Sequence, residues 1–263
     1  MSQNLRRIFG SLDGDNFRRS VALGLIPGWA TYRKFGQNDA VGTGGTEDMW
    51  PPGTRRVLPS AAGVVSVVSS SAEDGAGTAT GALTVTISGL DAYYKEITET
   101  VTMNGQTPVV TTAEFFRINS AWNVTAGSNQ LNVGNISLSI GGVLQAYIEA
   151  NEGQTHQTLL TIPAGKTLIL DGYRLGIGRM GGSSDAHFKG QVLLPGHTAW
   201  RTISDIYLYN GETYDSGANT ATVLPAKTEA RISITSSSAT QAYGVMSGLI
   251  VENKYLSNMI QNH

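Results

Sequence analysis

The stretch that decides the fold is Leu83-Thr-Val-Thr-Ile87, together with Ile97-Thr-Glu-Thr-Val-Thr-Met103 and the Asn104-Gly105 pair that follows. Apolar side chains alternate with threonine or glutamate in both runs. This period of two is typical of strands that bury one face. Asn-Gly is the strongest short-range signal for a two-residue hairpin turn. The stretch therefore predicts antiparallel strands joined by tight turns.

The same pattern recurs along the rest of the chain. Residues 136–140 alternate and end in Gly141-Gly142, and residues 203–209 alternate and end in Asn210-Gly211. About a dozen short strands with a turn signal roughly every 8–12 residues are typical of sandwiches and jelly rolls. We therefore predict an all-β chain with an antiparallel β-sandwich or jelly roll over residues 61–256. It forms either one large sandwich or two small ones with a sub-boundary near residue 153, and residues 257–263 form a C-terminal tail.

Composition limits the classes of function. Charged residues make up 14% of the chain, against about a quarter in a typical globular protein. Cysteine is absent, so disulfides, thiolate nucleophiles and cysteine-ligated metals are excluded. A net charge of −2 argues against general nucleic-acid binding. The sequence contains no run of about 18 apolar residues, so it predicts no membrane-spanning helix. Because Met1–Gly10 also lacks the apolar core of a signal peptide, we expect assembly in a cytoplasm.

Residues 1–60 differ from the rest of the chain. They show no sustained periodicity, are rich in glycine and proline, and hold eight arginines and lysines against five acids. Large rings at intervals supply burial where no local element does, so we expect an extended, irregular docking arm that folds on a partner, with a disordered tail as the alternative. Deleting the arm is expected to leave the body folded. The expected anchors are Ile8, Phe9, Phe17, Trp29, Tyr32, Phe35 and Trp50, with Arg6, Arg7, Arg18 and Arg19.

Motifs that carry chemistry are missing from the sequence. Gly165-Lys166-Thr167 lacks the upstream glycine of a phosphate-binding loop, and the four histidines lack the spacing of a zinc site. We predict no catalytic residue, no metal and no cofactor, although carboxylates paired in space, as in glycosidases, remain an alternative. Aromatic residues near turns are candidates for contact with a receptor or sugar, and core packing is their alternative role. These residues are Trp200, Tyr207, Tyr209 and Tyr214.

One part of the chain resembles a known kind of protein. Residues 67–74, 77–91, 99–109 and 116–119 resemble a module common among virion proteins of tailed bacteriophages, especially marine ones. The Ile162-Pro-Ala-Gly-Lys-Thr167 corner is also similar to such proteins, and the resemblance covers roughly residues 65–170. It implies a β-sandwich virion component on the outside of a head or tail, usually a homo-oligomer and often a homotrimer. It carries no catalytic motif, so no functional residue is transferred.

These observations lead to one expected function and two alternatives. We expect a non-enzymatic structural protein of a phage virion, assembled in the host cytoplasm. Its arm attaches to capsid or tail proteins and its oligomeric body projects, as either head decoration or a tail-attachment component. The first alternative is a receptor- or carbohydrate-binding tail protein, and the second is a carbohydrate-active enzyme.

Overall fold

A computed structural model describes residues 14–77, 79–178, 184–217 and 221–260. Within these ranges the elements are antiparallel strands, apart from helices α1 (Gly14–Ala22) and α2 (Asn253–Ile260). The all-β prediction is confirmed. In chain order the strands are β1 (Trp29–Val41), β2 (Thr46–Asp48), β3 (Gly63–Ser69), β4 (Ala82–Leu90), β5 (Glu96–Thr102), β6 (Val109–Phe115), β7 (Arg117–Ala126), β8 (Ile136–Ile140), β9 (Val143–Ile148), β10 (Leu159–Thr161), β11 (Lys166–Ile177), β12 (Asp185–Leu193), β13 (Arg201–Tyr209), β14 (Thr213–Asp215), β15 (Thr222–Leu224), β16 (Glu229–Thr235) and β17 (Thr240–Glu252).

Strands β3 to β9 form the first sandwich. Its sheet I has the strand order β6-β3-β8-β9, and its sheet II has the order β5-β4-β7. Alternate residues of both sheets point inward and meet in one apolar core, as the period of two requires. This core includes Val67, Ile87, Phe115, Ile118 and Leu138, all of them fully buried.

The second sandwich has its own core. Sheet III has the order β1-β17-β11-β14 with β15 beside β11, and sheet IV has the order β10-β16-β12-β13 with β2 beside β16. Leu170, Phe188, Ile232 and Met246 are among the residues packed between them. Because β1 and β2 precede β3 while β10 follows β9, the first sandwich is an insertion between strands of the second.

Strand β1 corrects the expectation of an irregular arm over residues 1–60. It spans 13 residues and pairs antiparallel with β17, from Trp29 opposite Val251 to Val41 opposite Thr240. The hydrophobic pattern did not reveal this strand because its central inward positions are not apolar. Lys34, Gly36 and Asn38 are the buried alternate residues.

The close approach of other backbone explains the glycine in β1. A Cβ atom at Gly36 would lie 2.6 Å from the Met49 carbonyl oxygen and 2.6 Å from the Thr158 amide nitrogen. Only glycine leaves room for these neighbours. The segment that looked irregular is therefore a central contact of the second sandwich, and deleting residues 1–60 would remove part of that sandwich.

Both Asn-Gly pairs are turns, but neither closes a hairpin. Asn104-Gly105 connects β5 of sheet II to β6 of sheet I, and Asn210-Gly211 connects β13 of sheet IV to β14 of sheet III. The hairpin expectation is therefore wrong at both sites, because each strand pairs within its own sheet instead of with its neighbour across the turn. Gly141-Gly142 does close a hairpin, between β8 and β9, and both glycines have positive φ.

Helix α1 was not predicted from the sequence. Its Val21 and the following Ile26 pack against Leu249 of β17, and Phe17 and Trp29 cover the same small cluster. The helix is thus fixed to the second sandwich by an apolar stripe. Across the described part of the chain, no helix is both long enough and apolar enough to cross a membrane.

Candidate assembly and ligand surfaces

Two of the expected arm anchors lie inside the chain's own body. Trp50 is 1% exposed, and its indole N–H donates to the Thr54 carbonyl at 2.7 Å. Tyr32 packs against the core of the second sandwich, and burial raises the pKa of its hydroxyl. Both side chains therefore pack within the chain's own fold. This corrects the expectation that they bind a partner.

Three more expected anchors also contact the second sandwich. Phe17 and Trp29 meet edge to face with ring centroids 5.3 Å apart. Arg18 forms an ion pair with Asp171 of β11, while Arg19 points to solvent. Four further expected anchors lie outside the described residues, namely Arg6, Arg7, Ile8 and Phe9.

A buried ion pair joins the two sandwiches. Arg117 Nε of β7 donates to Glu229 Oε1 of β16 at 2.6 Å, and both side chains are almost completely buried. The Thr161 hydroxyl donates to the other oxygen of Glu229, and Arg117 also donates to the Pro59 carbonyl at 3.0 Å. Such a pair holds its geometry only when its remaining polar atoms are bonded, as they are here.

Asn119 and Arg56 add further bonds across the junction. The Asn119 amide donates to the Thr161 carbonyl and accepts from the Thr161 N–H, both at 2.9 Å. Arg56 donates to the carbonyls of Ile118 and Gln145 in the first sandwich, at 3.3 and 3.4 Å. Burial lowers the pKa of Arg56. These contacts fix the two sandwiches to each other.

Lys34 is the least compensated charge at the junction. It is 9% exposed, and its Nζ donates to the Asn119 carbonyl. Within the described residues, no carboxylate forms an ion pair with it. Burial, and then the nearby charge of Arg56, lower the pKa of Lys34 to about 7.

A cleft of about 540 Å³ opens beside Lys34, between β1 and β7. Phe35, an expected arm anchor, lines it and meets the His156 ring edge to face at a centroid distance of 4.9 Å. His156 is buried, and its Nδ1 has no hydrogen-bond partner in the described residues. The structure thus places Phe35 at the junction of the sandwiches.

The four aromatics considered for ligand contact are divided between two sheets. Tyr207 stacks on His187 of the neighbouring strand at 3.8 Å on sheet IV, and the imidazole also bonds Asp205. Trp200 covers the Arg231 guanidinium at 3.7 Å. Tyr209, two residues beyond Tyr207, shares its face and its exposure. Tyr214 belongs to β14 of sheet III and lies apart from the other three.

The outward face of sheet I carries almost no charge. Cross-strand pairs place Val64 opposite Glu114, and Ser66 opposite both Val110 and Ser139. Glu114 is the one charged residue of this outward face among the described residues, whose other members are Val64, Ser66, Val68, Val110, Thr112, Ser137, Ser139, Leu144 and Tyr147. Because sheet surfaces in contact with water usually carry polar and charged residues, this neutral valine and serine face is a candidate contact surface.

Sequence reasoning missed the junction residues. In the sequence, Lys34 and Arg56 contribute only to the charge count of residues 1–60, and Arg117 and His156 belong to no site motif. A charged residue flanked by large apolar ones is the one local signal, as in Tyr32-Arg33-Lys34-Phe35 and Phe116-Arg117-Ile118. No group of three or more histidines, aspartates or glutamates in the described ranges is arranged to hold a metal ion.

Comparisons with known proteins give weak likenesses. No protein-family model matches the chain, and no curated protein matches it. T=1 particles derived from infectious bursal virus are similar at 12% identity over 90% of this chain and 75% of that chain, with a TM-score of 0.26. The Gx strain of infectious bursal disease virus is similar at 11% identity over 89% and 77%, with a TM-score of 0.25. Likeness at this level establishes neither a shared fold nor a shared function.

Proposed function

We propose that the chain is a non-enzymatic structural protein of a tailed-phage virion that assembles into a homo-oligomer, such as a trimer, through the outward face of sheet I. The observation that carries the proposal is the neutral valine and serine surface of this sheet. Placing such a face against a second copy buries apolar area without burying like charges, which are costly to desolvate. The resemblance of residues 65–170 to phage virion modules supports the virion setting.

A pair of matched valine substitutions tests the assembly surface. Val110 on sheet I is 62% exposed, and Val223 on sheet III is 63% exposed, so both accept lysine without disturbing a core. Val110→Lys should shift the sedimentation-equilibrium mass from oligomer to monomer, while Val223→Lys should leave it unchanged. A wild-type chain that stays monomeric at high concentration, or equal effects of both variants, would contradict the proposal.

The attachment to the particle is assigned to residues 1–13, which include Arg6, Arg7, Ile8 and Phe9. Truncation after residue 13 retains every helix and strand of the described chain, unlike deletion of residues 1–60. The truncated protein should fold with an unchanged circular dichroism spectrum and yet be absent from purified particles. Normal incorporation of the truncated protein would exclude this segment as the anchor.

Receptor binding is a second candidate function, favoured by Tyr207 and Tyr209. Both side chains are exposed on β13, an edge strand of sheet IV whose outer edge is unpaired in the described residues. Exposed tyrosines on a free edge suit a protein partner, since they add contact area with few rotatable bonds. Loss of host-cell adsorption in a Tyr207→Ala/Tyr209→Ala variant that still assembles would favour this function.

A further inference from the structure

The cleft at the junction of the two sandwiches has the size and construction of a ligand site. Its volume of about 540 Å³ falls within the range of roughly 300–1,000 Å³ typical of small-molecule sites. Strand β1 supplies one wall with Arg33 and Phe35, and β7 supplies the other with Ser120 and Trp122. Both sandwiches therefore contribute to the same concave surface.

The end of the cleft is held by backbone pairing. The Thr155 N–H donates to the Ala121 carbonyl at 2.9 Å, and the Asn123 N–H donates to the Gly153 carbonyl at 2.8 Å. The segment around Gln154 thus extends sheet II beside β7. This pairing places the Gln154 amide and the His156 ring at the cleft on a rigid support.

The charge around the cleft is positive. Two basic residues, Arg33 and Lys34, line the cleft, whereas Arg117 and Arg231 lie outside its lining and are paired with Glu229 and Asp48. Arg33 lines the cleft and forms no ion pair in the part of the chain that the structure describes. The carboxylate nearest His156 is Glu152, whose Oε2 lies 3.5 Å from His156 Nδ1. An anionic group in the cleft would offset this excess of positive charge.

The neutral part of the lining suits a sugar ring. The indole of Trp122 is 37% exposed and offers a flat apolar face. Pyranose rings place their C–H groups on such faces, while their hydroxyls need donors and acceptors at the edge. Ser120, Gln154 and Thr155 supply both.

We infer that this cleft binds an acidic saccharide, with the sugar ring against Trp122 and the carboxylate at Arg33. Arg33 has no carboxylate partner among the described residues, and the carboxylate of the ligand would supply one. This inference does not depend on the assembly role, because Val110 and the sheet I face lie on the first sandwich, away from the cleft lining.

Sialyllactose and lactose are the matched probes, since they differ by the acidic sugar. Titration of the full chain, followed by calorimetry and by tryptophan fluorescence, should show binding of sialyllactose and at least about tenfold weaker binding of lactose. Arg33→Gln should weaken sialyllactose binding by about tenfold or more, as loss of a charge-assisted hydrogen bond predicts. Trp122→Ala should abolish binding, and Trp122→Phe should retain it.

Trp200→Ala is the control, because Trp200 lies on sheet IV against Arg231. This variant should bind sialyllactose as the wild type does. Absence of binding to sialyllactose and to free glucuronic acid would overturn the inference. If lactose binds as tightly as sialyllactose, the acidic group of the ligand has no role in binding. If binding is lost in Trp200→Ala but kept in Trp122→Ala, the site lies on sheet IV instead. Thermal unfolding of each variant separates loss of the site from loss of the fold.

Discussion

Replacing Lys34 by methionine should stabilise the protein and flatten its response to pH. The ammonium group is buried at the junction, beside Arg56 and without a carboxylate partner in the described residues. Methionine has a similar length and needs no hydrogen bond. The Asn119 carbonyl that loses its Lys34 donor still accepts from Gln157 Nε2 at 3.3 Å, so the substitution leaves no orphaned acceptor.

The direction and size of the effect follow from the lowered pKa of Lys34. Its value is about 7 in the folded chain against 10.5 for the free side chain. Between these values the unfolded chain binds more protons, so the free energy of unfolding rises with pH from about 7 to about 10. At about 1.4 kcal/mol per pKa unit, the full penalty is about 5 kcal/mol below pH 7. Between pH 6 and pH 9, roughly 2 to 3 kcal/mol of that penalty is relieved.

Urea unfolding followed by tryptophan fluorescence at pH 6 and pH 9 measures this difference. Lys34→Met should be more stable than the wild type at pH 6, and its advantage should shrink by roughly 2 to 3 kcal/mol at pH 9. Lys95→Met, at an exposed lysine, should leave the wild-type profile unchanged. Parallel pH profiles for Lys34→Met and the wild type would show that Lys34 does not titrate in this window, and would refute the reasoning.

Three further substitutions test the packing and polar contacts of the fold. Gly36→Ala should cost about 2 kcal/mol or more in thermal unfolding, because its Cβ would overlap two backbone atoms; an unchanged melting temperature would contradict the close approach. Asp74→Ala should cost at least about 3 kcal/mol in urea unfolding, since this carboxylate accepts from three backbone N–H groups and one hydroxyl. Arg117→Met should cost about 3–5 kcal/mol by leaving Glu229 unpaired, and Arg117→Met/Glu229→Met should recover most of it; additive losses would argue against direct pairing.

The fold class could be predicted from the alternation of apolar residues, because this alternation shows directly which side of a strand is buried. In β4 and β8 the inward residues are apolar and the outward ones are serine or threonine, as Ile87 and Leu138 illustrate. The alternation does not show which strands pair with each other. A tight turn such as Asn104-Gly105 reverses the chain, but which sheet receives the next strand depends on contacts with residues far away in sequence. In β6 that contact is with β3, about forty residues upstream.

The N-terminal strand could not be recognised for a related reason. Its inward positions at Lys34, Gly36 and Asn38 face polar groups and backbone of other segments instead of an apolar core. The Asn38 amide donates to Glu47 Oε2 at 2.6 Å, and Lys34 reaches Asn119 in the other sandwich. A period of two is visible only when the buried partner is hydrophobic. We expected a partner to receive the spaced aromatics, but for Trp29, Tyr32 and Trp50 the receiving surface belongs to the same chain.

The sequence alone does not show that several basic residues meet at the junction of the two sandwiches. The four basic residues of the junction are separated by up to about two hundred positions, and each stands alone in its own segment, at Lys34, Arg56, Arg117 and Arg231. Folding brings them together, and within the described residues Glu229 pairs with Arg117 and Asp48 pairs with Arg231. A protein under no other constraint would gain stability by replacing such charges with apolar residues. Lys34 is the one of these four that lines the cleft, and its charge is therefore better explained by the anion proposed for the cleft than by a contribution to stability.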